Sequence, residues 1–250
     1  MQRYFLSKEQ FKDAYVMIDG EEAKHIIRVM RMGVGDLIVC CDNEGDCYLC
    51  KISELFSDTV KAGVVERIEK NVELPIEVTI AHGLPKGDKL ELVIQKGTEL
   101  GAASFMPFQA ERSIVKWDDK KAKKKIERWN KISKEASEQS HRQYVPRVEK
   151  VQTLKQLIQR FHLYSYVIVA YEEEAKNDEK SRFHLTLSQM KQGDSLLLVV
   201  GPEGGFSDRE VKVMIEAGAT SCALGPRILR SETAPLYGLA AISYHFELLG

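Results

Sequence analysis

The feature that most constrains the fold is an apolar strand that runs directly into a glycine-rich turn and then a helix. Leu196 to Val200 are five consecutive apolar residues, and residues 201–205 read Gly-Pro-Glu-Gly-Gly. Ser207 and Glu210 form an S-x-x-E capping box, which predicts that a helix begins just after Ser207. A short, continuously apolar strand is typical of a parallel sheet that is covered on both faces.

Strands and helices alternate from Ile76 onward, which predicts an α/β unit with a parallel sheet. The predicted helices span residues 88–100 and 119–142, and the longer one carries Ile126 and Trp129 on an apolar face. The predicted strands span residues 76–80, 105–106, 167–170, 196–200 and 221–224.

The first seventy residues have a different pattern, which predicts a small β-rich unit with one short helix. Pro75 follows Glu73 and Leu74 and marks a boundary, because proline interrupts regular structure. We therefore expect two domains, over residues 1–72 and 73–250.

The five cysteines do not indicate a disulfide framework, because their number is odd. Cys40, Cys41, Cys47 and Cys50 lie on two predicted strands of one hairpin, around residues 42–46. Because successive side chains of a strand point to opposite faces, Cys40 and Cys41 should diverge, and so should Cys47 and Cys50. We expect small buried thiols, with a zinc site as the alternative.

The glycine-rich turn restricts which ligand can bind there. Glycines let the backbone bend sharply and let a ligand approach its N–H groups. The turn has neither the lysine of a P-loop nor G-x-G-x-x-G spacing, and Glu203 would repel a phosphate. A ligand without phosphates, or one with a positive charge, fits better, and S-adenosylmethionine has both properties. The alternative is a tight connection that binds no ligand.

A second loop, over residues 224–235, joins another short buried strand to a predicted helix over 236–249. Ser231 or Thr233 is expected to cap that helix, and Pro235 suits its first turn. Two such loops at the carboxyl ends of parallel strands lie where open α/β sheets bind ligands. The second loop brings three charged residues to that edge, Arg227, Arg230 and Glu232.

Positive charge is concentrated between Arg112 and Lys134, although the whole chain has a net charge of -1. Ten lysines and arginines in this range oppose three acids, a local charge of +7. Such a stripe suits a nucleic-acid backbone, and the alternative is the solvated face of an amphipathic helix. In the N-terminal unit, Lys24, Arg28 and Arg31 have the spacing of one helix face.

The two loops resemble those of the SPOUT class of methyltransferases, and more specifically the bacterial family that makes 3-methyluridine in 16S ribosomal RNA. Other segments that resemble this family are distributed over almost the whole chain, at residues 3–5, 25–36, 96–101, 111–113 and 135–140. His141 departs from the pattern, since the family more often has glycine before the arginine matched by Arg142.

The resemblance implies a fold that periodicity alone does not. It implies an α/β SPOUT-type parallel sheet with a C-terminal trefoil knot, although general topology rules argue against knots. It also implies a PUA-like RNA-binding domain over residues 1–72, a methyltransferase domain over 73–250, and a homodimer.

S-adenosylmethionine is the cofactor that the resemblance implies. The residues expected to bind it are Val200, Gly201, Pro202, Glu203, Gly204, Gly205, Leu224, Gly225, Ile228, Leu229, Thr233 and Ala234. With the charge pattern, the resemblance also implies RNA contacts by Arg3, Lys24, Arg28, Arg31, Arg112 and Arg142.

Methylation of uracil N3 requires loss of the N3 proton, which places negative charge on N3 and the flanking carbonyl oxygens. We expect Arg230 to stabilise that charge and Glu232 to accept the proton. The alternative for Glu232 is a structural carboxylate that holds its loop through backbone N–H groups.

The sequence contains neither the apolar stretch of a signal peptide nor an apolar run long enough to cross a bilayer. We therefore expect a cytoplasmic protein that does not bind a membrane, and the cysteine pattern favours no metal. The resemblance implies that its partner is 16S ribosomal RNA or the small ribosomal subunit. Two other classes remain open, a non-catalytic RNA-binding protein and a phosphate-binding nucleotide enzyme. A SPOUT methyltransferase that acts on another RNA base or atom is a further alternative.

Overall fold

The computed structural model describes residues 1–113, 119–171 and 182–249, which divide into two units. The first unit contains Met1–Glu73 and Ser137–Val145, and the second contains Leu74–Ala136 and the chain from Pro146 onward. The two continuous segments predicted from the sequence, 1–72 and 73–250, do not include this return to the first unit. In the described ranges, no helix is both long and apolar enough to cross a bilayer.

The first unit is built on a five-stranded sheet. Its strands are β1 (Arg3–Phe5), β2 (Tyr15–Ile18), β3 (Leu37–Cys41), β4 (Cys47–Leu55) and β5 (Val60–Arg67), in the spatial order β1-β3-β4-β5-β2. β1 runs parallel to β3, and the other neighbours are antiparallel. Ile38, Ile52 and Val16 form a buried core with Ile26 of the short helix. The predicted β-rich unit with one helix is confirmed.

The helix of the first unit ends too early for the charged face that the sequence predicted. Helix α1 (Gly20–Lys24) continues as one π-helical turn, His25–Val29. Arg31 lies beyond this turn with a φ of +52°, in the left-handed region. The prediction that Arg31 shares a helix face with Lys24 and Arg28 is therefore wrong.

The four clustered cysteines lie on opposite faces of the β3–β4 hairpin, as predicted. Cys40 and Cys50 lie in one buried cluster, and Cys41 and Cys47 lie in another. The expectation of four free thiols is wrong, because Cys41 and Cys47 form a disulfide. These two residues are opposite each other in the antiparallel register, with Cα atoms 4.1 Å apart. The register, which the sequence does not specify, brings their sulfurs together.

A buried ion pair within the first unit holds the returning segment, residues 137–145. The Arg142 side chain pairs with Glu73, with Nε 2.8 Å from Oε2, and Glu73 also accepts the N–H of Gln143 at 2.7 Å. Arg3 Nη1 donates to the carbonyl oxygen of Arg142 at 2.7 Å. His141 has a φ of +61°, a conformation that favours glycine, which is the residue more common there in the resembled family.

The second unit has a sheet of seven strands, and every pair in it is parallel. The spatial order is β12-β10-β11-β6-β7-β8, and β9 also pairs with β7. The strands are β6 (Glu77–Gly83), β7 (Ser104–Gln109), β8 (Arg147–Val148), β9 (Gln152–Thr153), β10 (Tyr166–Ala170), β11 (Ser195–Val200) and β12 (Thr220–Cys222). The predicted parallel sheet is confirmed.

Helices cover both faces of this sheet. They are α2 (Lys89–Glu99), α3 (Asp119–Gln139), α4 (Leu154–Ile158), α5 (Arg182–Gln189), α6 (Asp208–Glu216) and α7 (Thr233–Ser243), and a π-helical turn, Tyr244–Leu248, follows α7. Leu198 belongs to the buried cluster with α2, α5 and α7, whereas Leu197 and Val199 belong to the cluster with α4 and α6. Alternate residues of β11 are thus buried on opposite faces, which explains its uninterrupted apolar sequence.

Candidate active site

A cavity of about 420 Å³ opens at the carboxyl edge of the parallel sheet, where the adjacent strands β12, β10 and β11 end. Residues 201–206 after β11 and residues 223–231 after β12 form most of its wall. The end of β10 adds Ala170 and Tyr171, and the first turns of α2 and α7 add Lys89 and Ala234. The two glycine-containing loops therefore meet at one sheet edge, as their positions in the sequence predicted.

The backbone of the first loop, residues 201–206, is packed so closely that a side chain at Gly83 or Gly201 would overlap with neighbouring atoms. A Cβ on Gly83, at the end of β6, would lie 2.5 Å from Pro202 Cδ and 2.8 Å from Pro202 N. A Cβ on Gly201 would lie 3.2 Å and 3.3 Å from backbone atoms of Gly205. Glycine at these positions lets the loop lie directly against β6 and leaves its polar backbone beside the cavity.

The turn after β7 supports the first loop from another side. Arg112 Nη1 donates to the carbonyl oxygen of Gly204 at 2.9 Å. Glu210 accepts the N–H of Glu111 at 2.7 Å and the N–H of Ser207 at 2.9 Å, and the Ser207 side chain accepts the N–H of Glu210. The capping box predicted from Ser207 and Glu210 is therefore confirmed, and it also ties this turn to the start of α6.

The second loop leads into α7 without a side-chain cap. The N-cap is Glu232, so the prediction that Ser231 or Thr233 caps the helix is wrong. The carbonyl oxygen of Arg230 instead accepts the N–H groups of Thr233 at 2.9 Å and Ala234 at 3.0 Å. This backbone turn provides an acceptor for the first N–H groups of α7, so the side chains of residues 230–232 remain available for other contacts.

His82 is fully buried beneath the second loop. Its Nε2 lies 2.9 Å from the carbonyl oxygen of Ser231, and its Nδ1 lies 2.6 Å from that of Gly83. Burial lowers the pKa of His82, against the opposing effect of these two carbonyl oxygens. His82 thereby connects the end of β6 to the segment that carries Arg230 and Glu232.

One ammonium group lies between carboxylates of both loops. Lys89 Nζ is 3.1 Å from Glu203 Oε1 and 3.1 Å from Glu232 Oε2. Hydrogen bonds to Glu232 and Glu203 raise the pKa of Lys89. Burial by itself would raise the pKa of Glu232, but its backbone hydrogen bond, Lys89 and Ser231 outweigh burial and place the pKa below the ordinary value. Burial is outweighed in the same way at Glu203, by backbone N–H groups and Lys89, so its pKa is also lowered.

Most of the residues predicted at the ligand edge line the cavity, together with Arg230. Thr233 and Glu232 do not line it. The sequence reasoning missed Lys89 and His82, and the start of a helix just after a parallel strand was the available signal for Lys89. Within the described ranges, no three His, Cys, Asp or Glu side chains are grouped so that they could hold a metal ion.

The residues predicted to contact RNA differ in exposure. Arg28 is exposed, whereas Arg3 and Arg142 are buried, with 8% and 4% of their surface accessible. Arg3 Nη1 also lies 3.3 Å from Cys41 Sγ, and burial lowers its pKa. The guanidinium groups of Arg3 and Arg142 therefore have acceptors inside the first unit.

The basic stripe continues along α3 within the described residues, whereas Lys116 lies outside them. Lys123 and Lys124 are exposed, and Arg128 is exposed and pairs with Glu91. Trp129 is buried on the opposite face, so the helix is amphipathic as predicted.

Comparisons with known proteins give consistent results for both units. Residues 72–243 match a family model described as an RNA methyltransferase domain, and residues 18–64 match one described as an RNA methyltransferase PUA domain. The chain is 55% identical over 252 residues to ribosomal RNA small subunit methyltransferase E of Bacillus subtilis strain 168, covering 100% of this chain and 98% of the relative. A protein of the same name from Synechocystis is 32% identical over 245 residues, covering 98% and 78%.

A solved structure shows the same fold. The crystal structure of ribosomal RNA small subunit methyltransferase E from Neisseria gonorrhoeae, bound to S-adenosyl methionine, superposes with a TM-score of 0.83. The two sequences are 26% identical, and the alignment covers 97% of each chain. The likeness extends over both the β-rich unit and the parallel-sheet unit.

Proposed function

Because the chain belongs to the ribosomal RNA small subunit methyltransferase E family, we propose that it methylates N3 of a uridine in 16S ribosomal RNA, with S-adenosylmethionine as the methyl donor. The observation that carries this proposal for the cofactor is the cavity formed by two glycine-containing loops at the carboxyl edge of the parallel sheet. The choice of N3 comes from the family resemblance.

The residues of the cavity suit this cofactor. Leu224, Ile228 and Leu229 offer apolar surface for an adenine ring, and the glycine-rich turn offers backbone groups for polar contacts. Glu203 lines the cavity as well and pairs there with Lys89, whose Nζ lies 3.1 Å from its Oε1. We propose that residues 200–205, 224–225, 228–229 and 233–234 hold the cofactor.

When bound, S-adenosylmethionine supplies the methyl group that is transferred. The protein must lower the cost of removing the N3 proton from uracil. We propose that the Arg230 guanidinium, which lines the cavity, stabilises the negative charge that develops on the uracil carbonyl oxygens. Glu232 is a carboxylate whose pKa lies below its ordinary value, so it carries no proton at neutral pH, and we propose that it accepts the N3 proton.

Replacing Glu232 with glutamine tests the role of this carboxylate. Glutamine keeps an acceptor for Ser231 but cannot accept the proton, so we expect kcat to fall roughly 100- to 10 000-fold. Glu99→Gln is a matched control, because Glu99 pairs with Lys96 in the last turn of α2, away from the cavity. A normal rate for Glu232→Gln across the pH range would leave Glu232 only the structural role in its loop.

The proposed RNA surface uses the exposed basic residues of each unit. These are Lys24 and Arg28 in the first unit, and the α3 stripe around Lys123 and Lys124 in the second. Arg31 and Arg112 are exposed as well and belong to this proposal, although Arg112 also donates to Gly204. Arg3 and Arg142 are left out because they are buried. A base edge is accessible to the protein only in an unpaired or extruded uridine.

We also propose a homodimer, a C-terminal trefoil knot and a cytoplasmic location, the site of the ribosomal substrate. An exposed apolar surface supports the dimer. Tyr237, Tyr244 and Leu248 lie along one side of α7 and the turn after it, and Leu248 has 72% of its surface accessible. Sedimentation equilibrium tests the dimer, and a monomer at micromolar concentration would contradict it.

The reaction is tested with methyl-labelled S-adenosylmethionine and unmodified small ribosomal subunits, followed by digestion of the RNA to nucleosides. Label in 3-methyluridine is the expected result. Label in another nucleoside would show a methyltransferase that acts on a different base or atom. Calorimetry with S-adenosylhomocysteine and ATP separates the other classes, since a non-catalytic RNA-binding protein binds neither and a phosphate-binding enzyme binds ATP.

A further inference from the structure

Lys89 connects the two loops of the cavity through a pair of equal ion contacts. Its Nζ lies 3.1 Å from a carboxylate oxygen of Glu203 and 3.1 Å from one of Glu232. Lys89 and Glu203 line the cavity, whereas Glu232 does not and has only 15% of its side-chain surface accessible. The ammonium therefore links the cavity wall to the less accessible carboxylate.

The position of Lys89 in α2 indicates that its contacts with the two carboxylates hold its side chain in place. Lys89 is the first residue of α2, and the N-terminus of a helix carries partial positive charge that disfavours a lysine there. The neighbouring acid at this helix end, Asp88, pairs with Lys125. Glu203 and Glu232 are thus the groups that offset the unfavourable position, and they belong to the loops after two different strands.

From this geometry, and resting on the proposed function, we propose that Lys89 is a positioning residue for methyl transfer. Its ammonium joins Glu203 of the first loop to Glu232 of the second and fixes the Glu232 carboxylate in the loop that also carries Arg230. Lys89 acts through Glu232, so a cationic side chain of similar length should preserve this role and a neutral side chain should not.

The groups around Glu232 predict the sign of the change when Lys89 is removed. The Glu232 carboxylate accepts hydrogen bonds from the Lys89 ammonium, 3.1 Å away, and from the Ser231 hydroxyl, 3.2 Å away, while the buried His82 lies below the same loop. Burial favours the protonated form, and Lys89 opposes burial. Without Lys89 the pKa of Glu232 must rise, although the backbone and Ser231 contacts remain.

The ionisation of Glu232 can be measured in the cofactor-free protein by carbon NMR. Protein labelled at the glutamate side-chain carboxyl carbons is titrated with acid, and the Glu232 signal is identified as the one missing from Glu232→Gln. We expect Lys89→Met to move the Glu232 midpoint to higher pH and Lys89→Arg to keep it near that of the natural protein. Lys96→Met is the matched control, since Lys96 pairs with Glu99 on the same helix. An unchanged midpoint in Lys89→Met would overturn the proposal.

Kinetics provide a second measurement. In Lys89→Met we expect kcat to fall roughly 10- to 100-fold through loss of positioning, and the acid side of the kcat–pH profile to move to higher pH. Lys89→Arg should recover most of the rate. Equal losses in both variants with an unmoved profile would mean that Lys89 contacts the substrate itself, which contradicts the positioning role. If the natural protein forms no 3-methyluridine while the NMR midpoint still moves, the proposed function fails and the link between Lys89 and Glu232 remains.

Discussion

Gly83 offers a direct test of how the first glycine-containing loop, residues 201–206, is held against the sheet. It is the last residue of β6, and its φ is outside the left-handed region, so alanine is compatible with its backbone. The added Cβ would lie 2.5 Å from Pro202 Cδ, about 0.9 Å closer than the shortest ordinary contact of 3.4 Å. It would also lie 2.8 Å from the backbone nitrogen of Pro202. A proline ring and a backbone atom cannot rotate away, so the loop or the strand must move.

The size of the effect follows from where the overlap can be relieved. The end of β6 is paired with both β7 and β11, and the opposite side of the loop is crowded where Gly201 meets Gly205. Overpacking of a closely packed site costs about 1–3 kcal/mol. If restoring the loop for binding carries this cost, the Kd for S-adenosylhomocysteine rises roughly 5- to 150-fold. If the folded state carries it instead, the free energy of unfolding falls by about the same amount.

Calorimetric titration of Gly83→Ala with S-adenosylhomocysteine measures the Kd, and chemical denaturation of the same variant measures the free energy of unfolding. Gly63→Ala is the control, because Gly63 also lies in a strand, β5, and an added Cβ would meet no atom within 4 Å. We expect the control to bind and unfold like the natural protein. A Kd changed by less than about 2-fold together with an unfolding free energy changed by less than about 0.5 kcal/mol in Gly83→Ala would contradict the predicted overlap, since both limits lie well below the overpacking cost.

Two further predictions concern the first unit and are measured by chemical denaturation. His141→Gly should raise the free energy of unfolding by about 1 kcal/mol, because the φ of +61° strains a residue with a Cβ, whereas His141→Ala should give no gain. Glu73→Ala should lower it by about 3–5 kcal/mol, because the buried Arg142 guanidinium would lose its ion pair with the Glu73 carboxylate. A loss below about 1 kcal/mol for Glu73→Ala, the range of an exposed pair, would show that other groups or water compensate the Arg142 charge.

The sequence predicted the parallel-sheet unit well because its signals are local. Residues 196–200 are apolar without interruption, and Ser207 with Glu210 marks the next helix start, so strand, turn and helix can each be read within a few residues. The carboxyl-edge rule then placed both glycine-containing loops together without any knowledge of the distances between them.

Arg3 and Arg142 show what local signals cannot supply. Both belong to segments that resemble the family, and arginine in an RNA-modifying protein suggests a phosphate contact. In the structure both are buried. Arg142 pairs with Glu73, which is 69 residues away in the chain but adjacent in space. Only the tertiary fold distinguishes a buried structural arginine from one that is free to bind RNA.

Cys41 and Cys47 illustrate the same limit at shorter range. Alternation along each strand correctly assigned the cysteines to two faces, because side-chain direction has a period of two. Which cysteine lies opposite which depends on the register, and the turn over residues 42–46 sets that register. A turn one residue longer or shorter would place Cys41 opposite a different residue.

The charged groups of the candidate site come from three separate parts of the second unit. Lys89 follows β6, Glu203 follows β11 and Glu232 follows β12, so their ion contacts form only when those strands are in register in the sheet. An unfolded chain would hold these groups apart, and a ligand that needs both loops would have no site there. A ligand that binds to both loops would therefore add to the stability of the sheet that creates its site. The tight packing at Gly83 and the ion contacts of Lys89 are two separate means by which β6 and α2, which carry little of the cavity wall, determine the position of the loops that form it.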